Sequence, residues 1–348
     1  MLSHLYLKQF RSHEEIQFDF SKNVNVLLGN NGAGKTNILE AVLVLCLGKS
    51  YRASDQELIQ YNFNDTKIEG IFLDKKRVIK LHKQFSGGLQ KTLIFQGKNF
   101  KRMSFQYTLP VVLFEPDFMQ IITRGPEVRR EYFDTILARL YPEYQTILNH
   151  YRRTLTQRNS LLKAHHFTQD QIFVWNIKLS ELAGQLVLYR QKLLSTINKQ
   201  LSDVYSELAN SSHKVSINYL SKVNVDDYIN TMLRGLEKNI DTDRERGFTS
   251  YGPHRDDYEF IINLQLAAIS ASRGETRTIL LALKILEAKL IEETRSQKPL
   301  LLLDDVFSEL DEIRQAHLVE FFKDNQVIIT TTSITPLIRG ISGKIFEI

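Results

Sequence analysis

Gly29-Asn30-Asn31-Gly32-Ala33-Gly34-Lys35-Thr36 constrains this chain more than any other run of its residues, because it fits the pattern G-x-x-x-x-G-K-[ST]. Each residue type answers a chemical need. Glycines let successive backbone N–H groups turn inward around a chain of phosphates, and a helix starting near Lys35 adds its dipole and free amides. Lys35 brings a point charge to β- and γ-phosphates, and the Thr36 hydroxyl is a ligand for Mg²⁺. The flanks supply the required context. Short β-rich runs at residues 5–7, 16–20 and 24–28 lead in, and residues 37–47 follow with Ile38, Val42 and Leu45 at helical spacing.

The other half of such a site is an acid at the end of a buried strand. Leu300-Leu301-Leu302-Leu303-Asp304-Asp305 provides it. Four leucines predict a strand covered on both faces, and α/β sheets place their ligands at the carboxyl ends of such strands. Asp304 is then the second Mg²⁺ ligand, and Asp305 orients or deprotonates an attacking water. The competing account is a strand running into an acidic loop, which the pairing with a phosphate loop disfavours.

Between these halves the pattern changes twice. Residues 67–114 read as strands split by turn signals at Ser86-Gly87-Gly88 and Gln96-Gly97. From 127 to 208 apolar residues recur at three and four, as in Val128, Tyr132, Ile136 and Leu140, with Pro142 separating two helices. A strand at 258–262, a helix at 275–294 and a strand at 326–330 complete the chain. The expectation is an α/β protein in two lobes, with residues 1–118 plus 296–348 carrying both nucleotide motifs. Residues 119–295 form the second lobe.

A guanine-specificity motif is missing, since the one Asn-Lys pair, Asn198-Lys199, continues as Gln-Leu. Nucleotide motifs this far apart do not suit a small nucleotide kinase. They resemble the ABC-type ATPase heads of the SMC and DNA-repair families, which also need a Ser-x-Gly signature opening a helix shortly before the acidic strand. Ser86-Gly87-Gly88 lies between strand-like runs and is rejected as a hairpin turn. Ser272-Arg273-Gly274-Glu275 opens the 275–294 helix, where exposed amides and the Ser272 hydroxyl can meet a γ-phosphate.

Four further runs make the resemblance specific. LYLKQFRSHEEIQFDF at the start, PDFMQIITRGPEVRREYFD at 116–134, Tyr251-Gly252-Pro253-His254-Arg255-Asp256-Asp257, and LLLDDVFSELDEIR with its Ser308-Glu309-Leu310-Asp311 loop follow one another in the order of the RecF family. The chain resembles that family along essentially its whole length. The resemblance implies a two-lobed ABC-type ATPase head, with mixed β-sheets around the phosphate-loop helix and a mostly helical second lobe. It implies a head-to-tail homodimer around two ATPs, each held between one copy's loop and the other's Ser272 and Gly274. It also implies DNA as partner, at gaps and single-strand/double-strand junctions, together with RecR and RecO in promoting RecA loading.

Departures from the wider superfamily sharpen the chemistry. Asp305 stands where most ABC-type ATPases have Glu, and its carboxylate reaches about 1.5 Å less, so hydrolysis is expected to be slow. Thr332 stands where many carry His, a hydroxyl that contacts phosphate but takes no proton at neutral pH. Glu275 replaces the usual Gln and brings a negative group near a phosphate. Arg52 sits where related heads carry an arginine near nucleotide or DNA, a plain surface arginine being the alternative. Arg11 and Lys8 are candidates for the nucleotide pocket. His254 and Arg255 are candidates for DNA or dimer contact, against a structural turn set by Gly252-Pro253.

The net charge of +5 tilts only mildly toward polyanions, but it is unevenly spread. From Asp74 to Arg102 nine basic residues face one acid: Lys75, Lys76, Arg77, Lys80, Lys83, Lys91, Lys98, Lys101 and Arg102. On hairpins these make a face able to neutralise phosphates without reading bases, the competing account being a solvated surface. Arg129, Arg130, Arg152, Arg153 and Arg158 form a second set, in which pairing of the first two with Glu127, Glu131 or Asp134 competes with DNA. One cysteine, Cys46, rules out an internal disulfide framework and fits a cytoplasmic protein. No apolar run approaches the roughly 20 residues of a membrane span. The alternatives kept open are the peripheral ATPase of a membrane transporter and a structural clamp with incidental hydrolysis.

Overall fold

Runs that lack a polar face become the strands of a parallel sheet. A computed structural model describes the chain except for Phe85, Ser86 and His165 and the side chains of Pro116, Asp117, Glu309 and Ser342. The Ser86 turn thus lies outside the described residues. The chain divides into two compact units, Met1–Phe118 with Glu287–Ile348, and Met119–Leu286. The second crossing falls inside a helix rather than after its end at 296.

The first unit opens with β1 (Leu2–Phe10), β2 (His13–Asp19) and β3 (Val24–Leu28), then α1 (Lys35–Leu47), β4 (Asp65–Phe72), β5 (Lys75–Lys83), β6 (Leu89–Phe95), β7 (Lys98–Phe100) and β8 (Val111–Phe114). The second contains α2 (Gln120–Thr123), α3 (Pro126–Leu140), α4 (Pro142–Leu162) and the 41-residue α5 (Gln169–Ala209). It continues with β9 (Val215–Leu220), α6 (Tyr228–Lys238), α7 (Ile240–Arg246), β10 (Asp257–Ile262), β11 (Gln265–Leu266) and α8 (Ala267–Ser270). Helix α9 (Arg273–Arg295) leads back to β12 (Leu300–Asp304), α10 (Glu312–Phe322), β13 (Val327–Thr331), α11 (Pro336–Ile341) and β14 (Ser342–Glu347).

Two sheets make the first unit. One is parallel throughout, in the order β14-β3-β13-β12-β8, and every described residue of β8, β12 and β13 is buried. The other is antiparallel, in the order β2-β1-β4-β5-β6-β7, and alternates buried with more exposed residues along β4. Helix α1 is apolar around its circumference, as a helix between two sheets must be, and its residues Ile38 to Cys46 are all buried, packed in one core with Leu5, Leu7, Ile68, Ile79 and Leu302. Wedged there, α1 fixes the phosphate loop at its N-terminus.

In the second unit, α3, α4 and α5 confirm the helical stretch expected from the spacing, with Pro142 at the first turn of α4, where its missing N–H costs nothing. The three-stranded sheet β11-β10-β9 lies in the same unit; only β10 was legible in the sequence.

Candidate functional site

The phosphate loop joins β3 to α1. Gly34 adopts φ 94°, and a Cβ there would meet His13 Nε2 and Ser12 Oγ at 2.6 Å, so only glycine lets the loop pass under that hairpin. Gly29 N–H is fixed to Thr331 O at 3.2 Å, tying the loop to the end of β13. Lys35 Nζ donates to Gly29 O at 2.6 Å and Asn30 O at 2.8 Å, which holds its charge over the loop's mouth.

The acidic partner meets the loop directly. Thr36 Oγ1 donates to Asp304 Oδ1 at 2.9 Å, and Thr330 Oγ1 donates to the same oxygen at 2.7 Å. Asp305 turns away from the strand with φ 51°, its N–H bonded to Thr330 Oγ1 at 2.9 Å. Its Oδ1 is buried without a hydrogen-bond partner. A buried carboxylate oxygen left unpaired beside a phosphate loop is costly unless something polar is to bind it. Together Asn31, Gly32, Gly34, Lys35, Thr36, Asn37, Asp304, Asp305 and Thr330 line a cleft of about 340 Å³.

Those residues fit Mg²⁺ carried by a nucleotide. Mg²⁺ is ordinarily held by one or two carboxylates together with substrate phosphates and water, and the cleft sets the Asp304 carboxylate beside the Thr36 hydroxyl, with Asp305 also on its wall. Among the described residues no cluster of three or more His, Cys, Asp or Glu could hold a metal unaided.

The remaining expectations divide. Thr332 is exposed beyond the end of β13, and the cleft's hydroxyl from that strand is Thr330. Arg11 and Arg52 do not line the cleft; both grip Glu40, at 2.8–2.9 Å and 3.0 Å, and Ser50 Oγ joins them at 2.5 Å. Burial pushes the fully enclosed Glu40 carboxyl up, but Arg11, Arg52 and Ser50 outweigh it and hold it below its ordinary range. Arg52 also donates to Asn37 Oδ1 at 2.8 Å, so this network braces a cleft residue. Glu40 went unassigned in the sequence, though an acid inside an otherwise apolar helix was a visible signal. Lys8 lies on the outer face of the antiparallel sheet, away from the cleft.

In the second unit, Ser272, Arg273 and Gly274 are exposed at the start of α9, as a signature segment needs. Two motifs thought able to touch DNA are instead knitted together. Arg129 pairs with Asp257 at 2.7 and 2.9 Å, and Arg130 donates to Asp256 O at 2.7 Å, rather than to Glu127, Glu131 or Asp134. Asp134 is taken by Arg190, which also donates to Pro253 O at 2.8 Å. His254 Nε2 donates to Thr249 O at 3.0 Å, which leaves Nδ1 to accept from Tyr151 at 2.6 Å. Burial lowers its pKa to about 4. These bonds fit the structural turn that the sequence left as an alternative. Arg255 is exposed, stacked over Phe248 at 4.8 Å.

The basic stretch also needs correction. Arg77 is buried, donating to Leu45 O and Tyr107 O at 3.2 and 2.6 Å and lying 4.7 Å over Phe95. It shares a strand face with Ile79 and Leu81, which period-2 alternation would have revealed. Arg158 is likewise buried, on Asp243 at 2.8 Å. Lys83 donates to Phe63 O, and Lys91 to Asp55 and Gly48 O. Lys75, Lys76, Lys80, Lys98, Lys101 and Arg102 remain exposed, as do Arg152 and Arg153 on α4. Half-buried Lys67, paired with Glu69, adds to this face and was unforeseen. Register places Lys8 opposite Lys67 and Lys67 opposite Lys80, a row of like charges across three strands. Like charges directly opposite destabilise a sheet, and Glu69 offsets part of this row by pairing with Lys67 at 2.6 Å and with Lys76.

The comparisons with known proteins agree with this geometry. Residues 1–339 match the profile of the RecF/RecN/SMC N-terminal domain. The chain is 36% identical to the DNA replication and repair protein RecF of Clostridium acetobutylicum over 341 residues, covering 96% of this chain and 93% of that protein. It is 34% identical to RecF of Halalkalibacterium halodurans over 345 residues, with coverages of 96% and 93%. A solved structure of the recombination mediator RecF–ATPrS in the RecFOR pathway superposes with a TM-score of 0.88 at 29% identity, covering 100% of this chain and 96% of that one. An Smc head bound to the C-terminal winged-helix domain of ScpA shares the fold, with a TM-score of 0.57 at 17% identity, covering 99% of this chain and 93% of that one.

Proposed function

The chain belongs to the RecF branch of the RecF/RecN/SMC N-terminal family, and from that premise we propose that it is an ATP-dependent, DNA-binding recombination mediator of the RecFOR pathway. The observation that carries this is the cleft where Lys35, Thr36, Asp304 and the unpaired oxygen of Asp305 meet. With the family established, the transporter alternative drops out.

Lys35 and the loop amides would bind the β- and γ-phosphates of ATP, and Thr36 with Asp304 would hold Mg²⁺. When bound, Mg²⁺ neutralises charge that develops on the transferring phosphoryl group. Asp305 Oδ1 orients the attacking water and accepts its proton; Thr330 keeps Asp304 and the Asp305 backbone in place. The shorter reach of aspartate makes this slow, a timer more than a motor. Ser272 and Gly274 of one copy close over the ATP of the other, so ATP acts as the link of a homodimer and hydrolysis releases it. Lys8, Lys67, Lys76 and Lys80, with Lys75, Lys101, Arg102, Arg152, Arg153 and Arg255 as further candidates, neutralise the backbone of gapped or junction DNA. RecR and RecO are the expected partners in promoting RecA loading.

Single-turnover ATP hydrolysis with and without gapped DNA, alongside salt-dependent DNA binding with and without ATP, tests the proposal. DNA-accelerated turnover and ATP-dependent retention on DNA are expected. DNA binding indifferent to ATP would sink it, and hydrolysis indifferent to DNA would favour a structural clamp.

A further inference from the structure

Glu275 follows Gly274 directly, so its carboxylate stands within one helical turn of the hydroxyl assigned to the γ-phosphate. Its two oxygens face different groups. Oε2 accepts from the Ser272 backbone N–H at 2.8 Å, while Glu275 N–H donates to Ser272 Oγ at 3.2 Å. This is a reciprocal capping box, and either Glu or Gln can serve in it. Oε1 lies 3.3 Å from Nδ1 of His213, a residue of the connection between α5 and β9. The imidazole is kept there by stacking on Tyr205, ring planes 15° apart and centroids 6.5 Å apart.

The charge matters because the cap does not need it. Hydrogen bonds from the Ser272 N–H and hydroxyl, with His213 beside them, hold the Glu275 carboxyl below its ordinary range, so it is ionised at neutral pH. An anion at the first turn already occupies the positive end of the helix dipole and repels a second anion brought to the same turn. It also engages the hydroxyl that would otherwise point at a phosphate. Glutamine would make the same cap, holding the hydroxyl through the same backbone N–H, without the negative charge. Among the described residues His213 is the ionisable group beside the carboxylate, placed so that a proton on its ring would lie against that charge.

We propose that Glu275 and His213 together set the strength of ATP-driven pairing between two copies of this chain: the Glu275 carboxylate weakens the hold of Ser272 on the partner copy's ATP, and His213 moderates that weakening. This rests on the role given to Ser272 above. Both are positioning residues, since neither need touch the nucleotide. The device favours a clamp that opens readily once ATP is spent.

The test is the association constant of the full chain in a non-hydrolysable ATP analogue, measured by sedimentation velocity at two salt concentrations. Glu275→Gln keeps the cap and should tighten pairing roughly threefold to tenfold, with the gain shrinking at high salt. His213→Phe keeps the stacking on Tyr205 and should weaken pairing in the wild-type background, with no effect in the Glu275→Gln background. Pairing of Glu275→Gln no tighter than wild type, a gain independent of salt, or an equal His213→Phe effect in both backgrounds would overturn the inference alone. A wild-type chain that does not pair with the analogue at all would overturn the role of Ser272 and this inference with it.

Discussion

Thr36 and Asp304, separated by 268 residues in sequence, meet at 2.9 Å, the threonine hydroxyl donating to the aspartate Oδ1. Thr330 donates to the same oxygen, so one carboxylate ties α1, β12 and β13 together at the mouth of the cleft. Asp304→Ala should therefore weaken Mg²⁺-ATP binding by at least about tenfold, given the 1.5–3 kcal/mol typical of charged contacts. Affinity for ATP in the presence of a chelator should change little. Calorimetric titration in the two conditions separates a metal ligand from a residue that merely shapes the loop.

Asp305 carries the proposed base at a left-handed backbone position. Asp305→Asn retains size and burial but loses the proton acceptor, so single-turnover hydrolysis should fall about 10²- to 10⁴-fold. ATP-driven pairing should persist and outlast that of the wild type. If this variant pairs no more durably than the wild type, Asp305 is not the residue that ends the ATP state.

His254 gives the second unit a pH signature. Burial depresses its pKa to about 4 from an ordinary 6.5, so between those values the unfolded chain binds a proton that the folded chain refuses. Stability is therefore intact above about pH 6.5 and is lost as pH falls toward 4, by on the order of 3 kcal/mol. Denaturant melts from pH 4 to 7 should show this slope, and His254→Gln should flatten it.

Arg158 is fully enclosed with Asp243, and both side chains are inaccessible. Arg158→Met would strand a buried carboxylate, with an expected cost of about 3–5 kcal/mol. The DNA affinity of the protein that remains folded should be unchanged. Arg152→Ala with Arg153→Ala, earlier on the same helix and on its exposed face, should do the reverse. A DNA-binding defect in Arg158→Met at unchanged stability would contradict the assignment.

Lys67→Ala with Lys80→Ala should weaken DNA binding uniformly across sequences and lower the salt slope by about 0.9 for each phosphate no longer neutralised. Stability should change little, because relief of the like-charge row is offset by loss of the Lys67–Glu69 pair. Arg77→Ala, on the opposite face of the same strand as Lys80, should lower the melting temperature and leave the salt slope alone. Fluorescence anisotropy across a salt series, paired with thermal melts, distinguishes the two faces.

The sequence by itself determined the parts whose chemistry is local or whose periodicity is strong. A phosphate loop needs glycines, a lysine and a hydroxyl in one continuous run, and four leucines before two aspartates already describe a buried strand with acids at its end. The helical insertion and α9 were legible from apolar spacing. What only the tertiary structure decided was the fate of individual charges. Arg77, Arg158 and His254 read as candidate polyanion contacts, yet the two arginines are buried and the histidine half-buried, each bonded to a partner distant in sequence: Leu45 O and Tyr107 O, Asp243, and Tyr151. Glu40 and Thr330 carried no motif and turned out to organise the cleft. The reason is physical. Backbone pattern is set by neighbours along the chain, whereas a charge's role depends on what desolvates it and what pairs with it. Those are groups the fold brings together from anywhere in the chain.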